Sequence, residues 1–593
     1  MNMLLALLIG MIAMAIIIIL TPDQIRRVLI GLVIAFMIGL SILVLQGYSV
    51  NETILWASDY QVLSGQTLFS FEESNLSSIA AFGFIFVGAL ALLFGLELAD
   101  RYEQAMSLLA IASAIGVAYA NNFFTFLFFW ELLTVTTCVL IMLKRAADSI
   151  NIGFNILILQ LIGGFSITLG IVLHYSVTGS LDLAFPQAGL PFFVFGIGLK
   201  TAFLPLHFWV PWGYPKANFY SSVLLAALCT KVGVYGVARI LGSAEWIAVM
   251  GACMSIVAVT FALLQHDLRK LLSYHIISQV GYMIAGVGIG TAIAVDGAML
   301  HLVNHMIYKA LLFMSAGMLI YSVNTDDIHD LRTHDHNDND SPFIWKMIPV
   351  AFIGALVGAL SISGFPPFNG YVSKYLLKHA AHDAGIVETL LLVASVGTAI
   401  SFAKFVYFAF IKGKAKLVKK PTLTMQAAVI LASFSCLLFG VAPQLIAKIL
   451  PYGSSLHVYS FSGIRASLQL IFIGVIIFVV TARLLEKSLP EMHWFKELTK
   501  QGVLIGKLPT VIFNYIAAWM QSLTQFISLF ITKGFRTSFK FLQSVDYKPG
   551  SSAVFRSVNI GNIDFSLFLV IFIFVAVIVF LFFLQFHSII LSI

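Results

Sequence analysis

Seven titratable side chains stand in stretches that are otherwise apolar. Glu131 lies in FFTFLFFWELLTVTTCVLIM, Lys200 in PFFVFGIGLKTAFL and Lys231 in SSVLLAALCTKVGVYGV. His301, His305 and Lys309 lie in HLVNHMIYKALLFMSAGML, and Lys374 follows a double proline in SGFPPFNGYVSKY. An ionised side chain at bilayer depth costs at least about 2.5–3.5 kcal/mol, so such groups mark ion or proton paths. The spacing of four in His301, His305 and Lys309 drifts by only about 40° per step. It keeps the three on one helical stripe about 12 Å long. Histidine exchanges protons near neutral pH, and a desolvated lysine can do the same, so neighbours of this kind can hand a proton along.

Other readings of these residues stay open at this level. Glu131 and Lys200 can form a structural ion pair, Lys231 and Lys309 can snorkel or cap a neighbouring helix, and the two histidines can bond to backbone or hydroxyl groups. Lys404, near the end of TAISFAKFVYFAF, is expected to snorkel. The number of charges favours one hydrated polar axis, because unrelated buried lysines would each need separate compensation. A metal site is not expected: no carboxylate or cysteine is placed to complete one beside the histidines. The acidic, histidine-rich run from Asp326 to Asp340 reads as a surface loop. Cys138, Cys229, Cys253 and Cys436 are scattered singly, without a CxxC pair. With no P-loop, GxGxxG or GxSxG pattern, neither a nucleotide, a flavin or another cofactor nor a catalytic site is expected.

The elements that must carry these groups follow from composition. Of 593 residues 60% are hydrophobic and 10% charged, and the mean hydropathy is +0.97. Repeated apolar runs of roughly 20 residues predict an all-α polytopic membrane protein with about 14–16 spans. The first run, from Met3 to Leu20, lacks a basic flank before it and is expected to be a retained helix. Arg26/Arg27, Lys144/Arg145, Arg269/Lys270, the lysines from Lys412 to Lys420, and Arg483/Lys487 all fall on one side when the runs are counted in order. That side is expected to be the cytoplasm, with the N-terminus outside. The formal charge of +7 is then a matter of topology, and no nucleic-acid partner is expected. Pro205 and Pro211, and Pro366 and Pro367, interrupt helices at hydrophobic depth, a pattern tolerated only where protein or trapped water satisfies the freed carbonyls. In transporters, paired broken helices often bracket the ion site.

Five motifs, GLKTAFLPLHFWVP, LCTKVGVYGVAR, LLSYHIISQVGYMIAG, HLVNHMIYKALLFMSAG and SGFPPFNGYVSKY, occur in order within residues 79–410. Together they resemble the antiporter-like membrane subunits shared by Mrp-type cation/proton antiporters and respiratory complex I, and their wording is closest to the D-type subunit of the Mrp antiporters. The resemblance implies two inverted five-helix repeats, each with one broken helix, around a hydrophilic axis. By motif, Glu131 resembles the family's essential glutamate and Lys200 its broken-helix lysine. Lys231 matches the lysine of the next helix, His301, His305 and Lys309 match the central relay, and Lys374 the exit-side lysine. Asp267 with Arg269 and Lys270 fits the polar turn entering the second repeat.

The expected organisation is N-terminal spans and an outer loop over 1–78, an antiporter-like core over 79–410 and further spans over 411–487. An amphipathic cytoplasmic-face segment over 488–563, for which a further pair of short spans is the alternative, and a terminal anchor over 564–593 follow. That tail resembles the lateral helix and anchor of the largest antiporter-like subunit of complex I and of membrane-bound hydrogenases. The expected function is proton translocation within a multisubunit antiporter of the cell membrane. The alternatives are a pumping subunit of an NADH-quinone oxidoreductase or hydrogenase, and a membrane subunit for inorganic-carbon uptake. Expected partners are other membrane subunits, lipid, protons, and sodium or potassium.

Overall fold

The computed structural model describes residues 3–47, 54–56, 69–328, 330–333, 342–454 and 456–487. The amphipathic segment and terminal anchor expected over 488–593, most of the outer loop before Ser78, and residues 334–340 of the histidine-rich run lie outside the described residues.

The described chain is a helical bundle. Helices α1 (Met3–Leu20) and α2 (Asp23–Leu45) are followed by a short antiparallel pair, β1 (Ile54–Trp56) and β2 (Phe69–Phe71). Then come α3 (Asn75–Gly95), α4 (Arg101–Tyr119), α5 (Phe123–Met142), α6 (Ala147–Thr178), α7 (Leu190–Thr201), α8 (Trp209–Gly213) and α9 (Phe219–Gly236). The second part contains α10 (Glu245–Leu263), α11 (Leu268–Ile289), α12 (Ala292–Val323), the short α13 (Asp330–Thr333) and α14 (Ile344–Met347), α15 (Pro349–Ser363), α16 (Asn369–Ala380) and α17 (Ile386–Val406). The described part closes with α18 (Leu423–Val441), the short α19 (Gln444–Ala447) and α20 (Phe461–Lys487). Twelve helices among the described residues are long and apolar enough to cross a membrane. With α1, α4 and the interrupted α15–α16 pair packed in the same bundle, the fold is the expected all-α polytopic one.

Polar residues start these helices where the chain turns. Ser74 and Asp100 each form a reciprocal capping box, and Asn122, Asp267, Thr291 and Thr422 accept from first-turn amides. The two proline segments break helices as expected. α7 ends at Ala202 and α15 at Gly364, both in the left-handed region with φ 67° and 80°, and the Leu204–Pro205 and Pro366–Pro367 bonds are cis. The freed carbonyls find partners inside the protein. Trp209 Nε1 donates to Leu199 O at 2.9 Å, Lys374 Nζ to Ile362 O at 2.7 Å, and Ser467 Oγ to Gly364 O at 2.9 Å.

The basic clusters gather at one end of the bundle. There Arg101 meets Asp23, Arg145 meets Asp100 and Lys216 meets Asp148, while Lys414 N bonds Leu331 O. Arg269 joins three elements at that end: its guanidinium reaches Asp326 at 2.7 Å and Ala217 O at 2.9 Å, and Asp267 accepts from the amides of Arg269 and Lys270. The other end carries the Arg239–Glu72 pair. α2, α6, α18 and α20 expose apolar faces, with Phe36, Phe165, Phe434 and Phe472 all more than half exposed, as lipid-facing or partner-facing helices must.

Candidate functional site

The core of the bundle holds an unusual density of buried polar side chains. Lys200, Lys231, Lys309 and Lys374 are 3%, 0%, 0% and 1% exposed, and His301 and His305 are fully buried. Among the described residues no carboxylate lies within ion-pair distance of any of these four lysines. Their ammonium groups use neutral oxygens instead. Lys200 donates to Trp130 O at 3.1 Å and Thr134 Oγ1 at 2.6 Å, and it lies 4.7 Å from the Trp130 ring centre. Lys231 donates to Ala226 O at 2.5 Å and Thr230 Oγ1 at 3.2 Å. Lys309 donates to Leu272 O at 2.8 Å. These carbonyl bonds are what capping of a neighbouring turn would also give.

Glu131 sits one turn from Thr134 on α5, within electrostatic range of Lys200 but not bonded to it. Both of its carboxylate oxygens are buried without a hydrogen-bond partner. The carboxylate packs against Gly164 of α6, where any Cβ would collide with it. Beside Lys200 lies a cavity of about 10 Å³ lined by Thr134, Thr137, Gln160, Tyr214 and Cys229, which is water-sized. The Tyr214 hydroxyl and Gln160 Nε2 are both buried there without a partner. Cys229 lines the same cavity as Lys200 and stands two residues before Lys231 on α9, within electrostatic range of both.

From Lys231 the polar interior continues to α12. Lys231 is within electrostatic range of His305, whose two ring nitrogens are buried and unpartnered. The His305 and His301 rings are 6.2 Å apart, with Tyr308 5.3 Å from His305. His301 bonds Ser373 Oγ at 2.9 Å and the Tyr308 hydroxyl at 3.3 Å, so one of the two histidines has the hydroxyl partners that a purely structural histidine needs. Tyr282 then stands between His301, 6.0 Å away ring to ring, and Lys374, whose Nζ is 4.9 Å from its centre.

The structure thus places all seven residues in the interior of one bundle, within electrostatic range of one another in succession but not joined by a continuous run of hydrogen bonds, with Lys374 at the second break. Pro205, Pro366 and Pro367 lie beside the two lysines that flank the breaks. Lys404 departs from expectation. It does not snorkel: at 3% exposure it donates to Leu263 O and Gln265 O at 2.8 and 2.7 Å, closing the carboxyl end of α10. Several polar groups of the interior had no signal of their own in the sequence. Thr134, Gln160, Tyr282, Tyr308 and Ser373 are ordinary residues of helical runs, and His275, though it lies in one of the five motifs, has no titratable neighbour at helical spacing.

Comparison with known proteins bears on this arrangement. Residues 120–401 match the family described as NADH:quinone oxidoreductase/Mrp antiporter, TM. Hydrogenase-4 component B of Escherichia coli K12 is 26% identical over 314 residues, covering 48% of this chain and 45% of that protein; the chain therefore spans less than half the length of that relative. The D-type subunit of the Na(+)/H(+) antiporter of Alkalihalophilus pseudofirmus is 26% identical over 425 residues, 65% of this chain and 82% of that protein. A chain in the structure of the Mrp complex from Dietzia sp. superposes with a TM-score of 0.69 at 19% identity, covering 93% of this chain and 64% of that chain, a likeness of fold.

Proposed function

Since the chain belongs to the antiporter-like family of membrane subunits that Mrp antiporters and NADH:quinone oxidoreductases share, we propose that it moves protons through the membrane as one subunit of a hetero-oligomeric complex, in the manner of a D-type Mrp subunit. One observation carries the reading: four lysines are buried in the bundle core with only neutral oxygens for partners. A structural charge so buried is normally paired. An amine without a counter-ion can instead lose its proton at small cost and serve as a relay.

In this reading an ionised Glu131 holds the proton on Lys200, because an opposite charge a few ångströms away favours the ammonium form. In the present geometry the carboxylate is not engaged, and Lys200 rests on Trp130 O and Thr134. Withdrawal of Glu131 drives the Lys200 proton past Cys229 to Lys231. From there it passes to His305 and His301, with Lys309 on the same stripe, and leaves by way of Lys374. The basic end faces the cytoplasm, as the positive-inside bias requires, and the N-terminus faces out. Sodium or potassium is the exchanged ion in the antiporter reading.

The match to hydrogenase-4 component B, at the same identity as that to the D-type antiporter subunit, favours a second reading, a pumping subunit of a respiratory complex or membrane-bound hydrogenase. The chemistry asked of this chain is the same in both. The test is energised proton transport by the assembled complex in proteoliposomes: Glu131→Gln and Lys200→Leu each abolish it while the variants assemble in normal amount. Wild-type rates in both variants overturn the proposal.

A further inference from the structure

A second group of buried polar side chains, separate from Glu131 and Lys200, lies on α11 and α17 towards the basic end of the bundle. It starts at the turn between α10 and α11, where His266 is exposed and the Lys404 ammonium is bound by the carbonyls of Leu263 and Gln265. Ser401 precedes Lys404 by one helical turn on the same face of α17. Its hydroxyl meets His275 Nε2 at 2.7 Å. His275 is fully buried, and its other ring nitrogen, Nδ1, has no partner. One turn further along α11, the Gln279 amide is also buried with neither its nitrogen nor its oxygen bonded. Phe402 stands between this histidine and the central stripe: its ring centre is 4.6 Å from that of His275 and 5.5 Å from Lys309 Nζ.

A buried imidazole bonded on one side and open on the other needs a reason. Packing supplies none, since a leucine would fill the site without leaving an unpaired nitrogen. The chain of groups supplies one, because every member can both accept and release a proton. We infer that Lys404, Ser401 and His275 form a second proton inlet, which feeds Lys309 from the basic end of the bundle without passing through Glu131 or Lys200, and that the Phe402 ring is the barrier it must clear. Released from Leu263 O and Gln265 O, the Lys404 ammonium swings to Ser401 and gives a proton to its Oγ as the Ser401 hydroxyl proton passes to His275 Nε2. The His275 Nδ1 proton then leaves to the Lys309 amine, and the ring turns to restore its starting tautomer. No other reactant is consumed.

This inference rests on the proton-translocating reading, and its test separates the two. Downhill proton flux is measured with a pH-sensitive dye in proteoliposomes of the assembled complex under an imposed pH gradient. The Lys200→Leu variant retains at least about a tenth of the wild-type downhill flux through the second inlet. Adding Ser401→Ala or His275→Leu to it lowers the flux to that of protein-free vesicles, whereas adding Ser401→Thr, which keeps the hydroxyl, does not. Two outcomes overturn the inlet: flux already at background in Lys200→Leu, or no further loss when Ser401→Ala and His275→Leu are added. Lys309→Leu is the control for the underlying reading, since wild-type flux in that variant removes the central stripe from any proton path.

Discussion

The packing of Glu131 against Gly164 makes a quantitative prediction. A Cβ at residue 164 would lie 2.6 Å from the Glu131 carboxyl carbon and closer still to Oε1, where van der Waals contact needs about 3.5 Å or more. In Gly164→Ala the carboxylate must therefore move by roughly 1–2 Å. No ion pair forms between Glu131 and Lys200; for a movement away from the lysine at an effective dielectric of about 20, lengthening a separation of roughly 5 Å to roughly 7 Å weakens the attraction from about 3.3 to about 2.4 kcal/mol. That loss of about 1 kcal/mol is about a fivefold change in proton occupancy of Lys200. Removing the charge with Glu131→Gln forfeits the whole attraction, a factor of a few hundred. Energised transport by the reconstituted complex should thus fall in two steps, about fivefold for Gly164→Ala and to the detection limit for Glu131→Gln, with assembly unchanged in both. Full activity in Gly164→Ala beside an inactive Glu131→Gln would refute the electrostatic reasoning, because position would then not matter.

Three further outcomes follow from the geometry. Lys374→Met leaves Ile362 O at the second break without its donor and removes the proposed last relay group; transport is then expected to be lost and the unfolding temperature of the purified complex to fall by a few degrees, whereas an unchanged rate would exclude Lys374 from the path. Arg269→Ala leaves Asp326 and Ala217 O unpaired at the basic end, and with Asp326 one-third exposed the loss is about 2 kcal/mol of stability, measurable by thermal unfolding with the transport rate per folded complex preserved. Burial, reinforced by the nearby Asp326, holds the Asp267 carboxyl above the usual carboxylate range. A raised carboxyl costs the folded state stability progressively as pH climbs from the ordinary carboxylate value through the raised one. Asp267→Asn keeps the cap, so its unfolding temperature relative to wild type should rise across that window; a constant difference from pH 3 to pH 8 contradicts the assignment.

Much of the architecture was legible in residue order because bilayer depth constrains it so tightly. An apolar run of about 20 residues has few alternatives to a spanning helix, and Pro205 and the Pro366–Pro367 pair announce both breaks because proline cannot complete the ladder. The i, i+4 stripe of His301, His305 and Lys309 is equally local. What sequence could not give is partner choice across helices. The expectation that Lys404 snorkels failed because nothing in α17 tells that the turn after α10 offers two free carbonyls at its level. Glu131 and Lys200 can be set near one another from their motifs, yet their bonds depend on rotamers: the amine turns to Thr134 and the carboxylate to Gly164. His275 reads as one polar residue among several on α11 until Ser401 and Phe402, 126 and 127 residues away in the chain, are packed against it.

Proton transport by the assembled complex carrying Lys231→Leu tests the central claim most directly, since Lys231 is fully buried and lies within electrostatic range of both Cys229 beside Lys200 and His305. Stability is followed alongside, because leucine fills the same space without a charge to bury. The account predicts that energised transport disappears while the unfolding temperature holds or rises. Wild-type transport through a chain without this amine would contradict it.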